Sequence, residues 1–194
     1  MKRLMKLLIT FFSIIAVLLL TQCTNQEKNI TIDSENESRY YSVIHDAYYN
    51  ECALTFFEFS QILELLNKAK ETSDIVYLNG RFDGYKGNGT YIFSLIQENI
   101  DHTKQPVIES KFKDSIFDVI KYMDDYLTKV NEILKSYDIN SLNEYKPEFN
   151  ELHSIMTKID IGDTVYNEDN KSTDNLDLLN KVKKLFGSFK LLTR

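Results

Sequence analysis

The apolar positions of this chain recur at steps of three and four over most of its length, the period of one helix face and not the alternation of a half-buried strand. From Arg39 to Lys70 the stripe runs through Tyr41, Ile44, Tyr48, Cys52, Phe56, Phe59, Leu63, Leu66 and Ala69, which predicts one long helix. A second long helix, about 30 residues, is predicted from Pro106, which suits a first helical turn, onward through Ile108, Phe112, Ile116, Ile120, Met123, Leu127, Val130, Leu134 and Tyr137. Between them, residues 71–90 hold four of the six glycines, Gly80, Gly84, Gly87 and Gly89, and read as a loop or a set of turns, followed by a short helix from Tyr91 to about Asp101. Ser141 with Glu144 has the spacing of a capping box, Pro147 marks a helix start, and Phe149, Leu152, Met156 and Ile159 continue it. Residues 160–173 lack periodicity. A last helix opens at Asp174 and turns Leu179, Val182, Phe186, Phe189 and Leu192 inward. No alternating pattern and no internal repeat interrupts this, so the expected fold is an all-α, elongated bundle of four or five helices over residues 38–194.

The first 37 residues follow a different pattern. Lys2, Arg3 and Lys6 precede an apolar run from Leu7 to Leu20, broken only by Thr10 and Ser13, and Leu20-Thr21-Gln22-Cys23 stands where a lipobox would. The run has the length of a signal-peptide core and is shorter than the roughly 20 apolar residues of a membrane span. Residues 1–22 are therefore expected to be a lipoprotein signal peptide that is removed, with Cys23 the lipidated residue, although Gln22 is larger than the small residue usual before that cysteine. Residues 23–37 carry no periodicity and are expected to form a flexible tether. The expected location is the outer membrane of a bacterium, at the cell surface, held by acyl chains.

Composition narrows the function. Removing the three leader cations leaves 20 basic against 29 acidic side chains, a net of about −9, which argues against a nucleic-acid partner. With Cys23 taken by lipid, Cys52 has no cysteine to pair with and is expected to pack as a small hydrophobe on the first helix. His45, His102 and His153 lie on separate segments without HExxH spacing, and the acidic residues Asp160, Asp163, Glu168 and Asp169 meet Lys171 where a calcium loop would need an oxygen ligand. The segment NGRFDGYKGNG lacks the GK[ST] of a phosphate loop, and no GxSxG occurs. The chain is accordingly expected to be no enzyme, to hold no metal or cofactor, and to act by surface recognition. Arg81, Phe82 and Tyr85 in the glycine-rich segment and Tyr166 in the second loop are candidate anchors for a partner, since tyrosine and arginine bring large, rigid contact area and planar donors. The other reading of Phe82 and Tyr85 is that they fold back over the end of the bundle.

One stretch supports a more specific expectation. Tyr40-Tyr41-Ser42, then Asp46-Ala47, then Tyr49-Asn50-Glu51-Cys52 resembles the same stretch, at the same spacing, in the CspZ-type complement-regulator-acquiring surface lipoproteins of Borrelia. The resemblance covers some 13 residues. It implies a helical outer-surface lipoprotein that binds the host complement regulator factor H, and relapsing-fever relatives that bind factor H or plasminogen are a similar possibility. The family's second cysteine has no counterpart here, Ser154 being the nearest alignment, and its late Arg- and Tyr-rich segment is not found. No binding residue is carried over.

Overall fold

The computed structural model of the protein describes residues 34–165 and 174–193, with side-chain environments for all of these except 34, 35, 86–92, 192 and 193. Its helices are α1 (Ser34–Lys68), α2 (Thr72–Ile100), α3 (Ser110–Lys135), α4 (Ile139–Asn143), α5 (Lys146–Met156), α6 (Asp174–Ser188) and α7 (Lys190–Thr193), with a 3-10 turn at Ile161–Thr164. No strand occurs among the described residues, and the one β-type pairing is an isolated bridge between Ile108 and Val165. The all-α bundle read from periodicity is therefore the observed fold. Residues 37–194 form one compact unit, which holds all of these helices but the first three residues of α1.

The helix α1 is long enough, about 50 Å at 1.5 Å per residue, to run the length of a small domain. A three-residue link returns the chain as α2, so the two lie antiparallel, and the Tyr40 hydroxyl near the start of α1 donates to Asn99 Oδ1 near the end of α2 at 3.0 Å. An ion pair between Glu37 and Lys104 joins the same end. At the other end, Lys146 Nζ donates to the Ala69 carbonyl at 2.6 Å and ties the link to α5. The central element is α3, which packs against α2, α4, α6 and α7. It buries eleven side chains along one broad face, from Phe112 to Leu134. Tyr126 of α3 gathers Phe59 of α1, Phe149 of α5, Phe186 of α6 and Phe189 around its ring, with centroid separations of 5.5–6.4 Å. Such pairs add about 0.5–1.5 kcal/mol each beyond the area they bury, which is how a core without tryptophan uses its many Phe and Tyr.

Residues 34–37, expected at the end of a flexible tether, are the first four of α1; α5 ends at Met156, short of Ile159; and Phe189 interrupts the last helix between α6 and α7. Four further expectations need correction. Residues 72–100 are one unbroken helix that includes all four glycines, and not a loop followed by a short helix. The reason is a stripe at Ile75, Leu78, Phe82, Tyr85, Phe93, Ile96 and Ile100, every member buried. A helical glycine costs about 1 kcal/mol against alanine, while a buried large apolar side chain contributes about 1.5–3 kcal/mol, so the stripe outweighs four glycines. Second, α3 begins at Ser110, and Pro106 to Glu109 lie ahead of it, where Ile108 makes the bridge to Val165. Third, Tyr137 is no part of the α3 stripe: it follows the C-cap Ser136 with φ 55° and is 52% exposed. Fourth, the Ser141 and Glu144 pair caps nothing, because Asp138 caps α4, accepting from Asn140 N at 2.9 Å and from the Ser141 hydroxyl at 2.7 Å.

Candidate functional site

Along one side of α1, the aromatic rings of Tyr49 and Phe57 stand out of phase with the buried stripe, 42% and 62% exposed. With Ala53, Phe56, Ser60 and Gln61 they form one wall of a groove of about 590 Å³, whose other wall is the chain from Met156 to Gly162. Leu54, 50% exposed, extends the apolar rim one turn from Phe57.

The second wall is irregular backbone, so its position has to be fixed by side chains. Asp160 caps the 3-10 turn, its Oδ1 accepting from Gly162 N at 2.8 Å. A Cβ at Gly162 would stand 3.1 Å from that oxygen, which is why a glycine fits there. Asn175 of α6, buried, accepts from Asp160 N and donates to Asp160 O and to Asp163 Oδ2, each at 3.0 Å. From the other side Tyr48 of α1 meets Thr164 Oγ1 at 2.8 Å. The turn is thus clamped between α1 and α6, and the groove is preformed.

Chemically the groove offers contact area. One wall is aromatic, and the other presents Thr157, Lys158 and Asp160 with backbone groups. The reactive types next to it are sequestered: burial above all, with the charge of neighbouring Glu51 added, holds the Cys52 thiol far above the ordinary thiol range. Burial likewise pushes the Tyr48 phenol well up. Among the described residues no group of three or more His, Cys, Asp or Glu could hold a metal ion.

The residues singled out from sequence fare differently. Arg81 is exposed on α2, but Phe82 is fully buried and Tyr85 is 8% exposed, both turned into the core. Their placement in a surface loop is therefore wrong, for the same reason that the loop is a helix. Tyr166 and Cys23 lie outside the described residues. Cys52 is buried and free on the α1 stripe, as its position predicts. Sequence reasoning missed Tyr49 and Phe57, although a signal existed: two aromatics eight residues apart on an amphipathic helix, off its apolar phase. Of the segment that resembles the Borrelia lipoproteins, Cys52 is core and Tyr40 bonds to α2, while Tyr49 lines the groove. No helix among the described residues is long and apolar enough to cross a membrane. Comparison of the chain with protein-family models, curated proteins and solved structures finds no match.

Proposed function

We propose that this chain is a lipid-anchored outer-surface protein of a bacterium, held by acyl chains on Cys23, whose helical bundle binds the host complement regulator factor H. The observation that carries the reading is the segment Tyr40 to Cys52, where the sequence resembles the factor H-binding lipoproteins of Borrelia and where Tyr49 stands exposed on a preformed groove. The leader pattern ending at Cys23 and the all-helical fold agree with it. Tyr49 and Phe57 are the anchors of choice, since rigid aromatics at the centre of an interface dominate its energetics.

The test is capture from serum by immobilised residues 24–194. Factor H is expected to be retained, and Tyr49→Ala and Phe57→Ala are each expected to weaken capture about thirtyfold, because truncating a central aromatic anchor costs about 2 kcal/mol. Capture of factor H that both variants leave unchanged moves the interface off the groove. Capture of plasminogen or a matrix protein instead makes the chain an adhesin, and capture of no host protein overturns the proposal.

A further inference from the structure

Besides its buried stripe, α1 carries a second stripe on the face turned away from the core. Tyr40, Val43, Ala47, Asn50, Leu54 and Phe57 follow one another at alternating steps of three and four, the spacing of a two-helix seam, and none of them is charged. At about 100° per residue, Val43 and Leu54 point within about 20° of the direction opposite the buried Cys52. Four of the ten exposed large hydrophobic side chains among the described residues stand on this stripe: Tyr40, Val43, Leu54 and Phe57. Apolar residues scattered singly over a surface are ordinary, but an uncharged stripe along about 26 Å of helix, in a chain whose residues are 27% charged, is a seam without its partner.

The seam is complementary to itself. When two copies of α1 run antiparallel about a two-fold axis between positions 48 and 49, Tyr40 meets the partner's Phe57, Val43 meets the partner's Leu54 and Ala47 meets the partner's Asn50, each contact occurring twice. Every large apolar side chain of the seam then faces another, and its one polar member faces the smallest. The flanking charges select the same direction. Asp46 borders one side of the seam, and Glu51 and Glu58 border the other. A parallel, in-register pair would set Asp46 against the partner's Glu51 twice, like charge on like. Antiparallel pairing brings each flank against its own copy, so Asp46 lies by the partner's Ala53 and Glu51 by the partner's Ile44; where Glu58 nears the partner's Glu37, Lys104 is ion-paired to that glutamate. We infer that the outer face of α1 docks a second copy of this chain as an antiparallel helix pair. A seam this short belongs at the small end of specific interfaces, below about 1,200 Å², so the pair forms and separates with concentration. Phe57 also lines the groove, so a second copy and a ligand that engages Phe57 exclude each other there. The inference does not depend on what the groove captures.

The test is sedimentation velocity of residues 24–194 over a concentration series from about 1 to about 500 µM, in which the mean mass is expected to rise from one copy to two. The rise should come at lower concentration as salt is raised, because each copy carries a net charge of about −9 that salt screens while the apolar seam is left intact. Val43→Gln and Leu54→Gln should each weaken the pair at least about tenfold, since symmetry places each residue in the interface twice. Neither should lower the melting temperature, because both positions are exposed in the single copy and glutamine suits a helix. Direction is read with a short bis-maleimide: Val43→Cys mixed with Leu54→Cys should crosslink, and neither variant alone should, because in the antiparallel pair equal positions stand about 16 Å apart along the helix. Cys52 is buried and does not compete for the reagent. A single copy at every concentration overturns the inference, as does a pair that both glutamine variants leave unchanged. Crosslinking of Val43→Cys or Leu54→Cys alone overturns the antiparallel arrangement and the inference with it.

Discussion

Tyr48 donates its buried hydroxyl proton to Thr164 across 2.8 Å, linking two residues 116 positions apart. The direction follows from proton count: the threonine hydroxyl has a single proton, and it is given to the Ile161 carbonyl at 2.7 Å. Thr164 is thus both acceptor for α1 and closure for its own 3-10 turn. Thr164→Val should cost about 1–3 kcal/mol, because it leaves the Tyr48 hydroxyl and the Ile161 carbonyl without their partners. Tyr48→Phe should cost less, about 0.5–1.5 kcal/mol, since Thr164 keeps its bond to Ile161. Urea denaturation of both variants checks the order, and a Tyr48→Phe variant less stable than Thr164→Val would reverse the donor assignment.

Cys52 sits one turn beyond Tyr48 on the same stripe and has no exposed surface. Its thiol should resist a maleimide in the native protein and react only at the rate of opening, so labelling should track unfolding across a denaturant series. Cys52→Ser keeps the shape but buries a stronger hydrogen-bonding group among apolar neighbours, at a cost of about 1–3 kcal/mol. Rapid labelling without denaturant would contradict the burial.

The glycines of α2 give the most direct measure of tension between local preference and packing. Gly80→Ala and Gly84→Ala should each stabilise the protein by about 0.5–1 kcal/mol, through helix propensity and a less permissive unfolded chain. For a chain of this size that is a rise in melting temperature of about 1–4 °C each. A loss of stability would mean that the added methyls meet something, against the open space found at both positions.

That tension also explains what was legible in the sequence. The helices α1 and α3 could be read because nothing in their stripes opposes the period. In α2 the stripe from Ile75 to Ile100 has the same period, but four glycines in ten residues favour a turn on local grounds, and only the burial of Phe82 and Tyr85 against the rest of the bundle decides the matter. The groove was less legible still. Its aromatic wall is local to α1, but its second wall depends on Thr164 and Asn175 meeting partners on other elements, and such side-chain bonds leave no periodic trace.

The proposed localisation rests on Cys23. Cys23→Ala in the producing bacterium should abolish incorporation of labelled palmitate and release the protein from the detergent phase or leave its leader uncleaved, because the acyl chains supply the membrane affinity. Retention of the label by the variant would remove the lipoprotein reading, and with it the proposed surface role, while leaving the helical bundle untouched.

Asp74 and Glu148 should pull the pH dependence of stability in opposite directions. The Asp74 carboxylate accepts from the backbone N–H groups of Lys70 at 2.7 Å and Glu71 at 3.1 Å at the start of α2, and these bonds hold its pKa below the ordinary aspartate value. The unfolded chain then binds the proton more readily, so the stabilisation is complete above the unfolded pKa and is lost as pH falls through the folded one. Glu148 is the reverse case. Burial raises its pKa, against the opposing pull of the Lys190 and Leu191 backbone N–H groups, and its Oε2 is buried without a hydrogen-bond partner among the described residues. The folded state binds that proton more readily, so ionisation costs stability, a penalty complete above the folded pKa and absent below the unfolded one. Asp74→Ala should therefore be less stable than the parent near neutral pH, with a deficit that narrows on acidification. Glu148→Gln keeps an acceptor for Lys190 N and sheds the charge, so it should be more stable near neutral pH, with an advantage that narrows as pH falls past the ordinary glutamate range. Because Glu148 is only half-buried, solvent screens the second effect and it should be small. Thermal melts at about pH 7, 5 and 3 separate the two, and a Glu148→Gln variant that is less stable at neutral pH would mean that the carboxylate is held as an ion by a partner its Oε2 does not show.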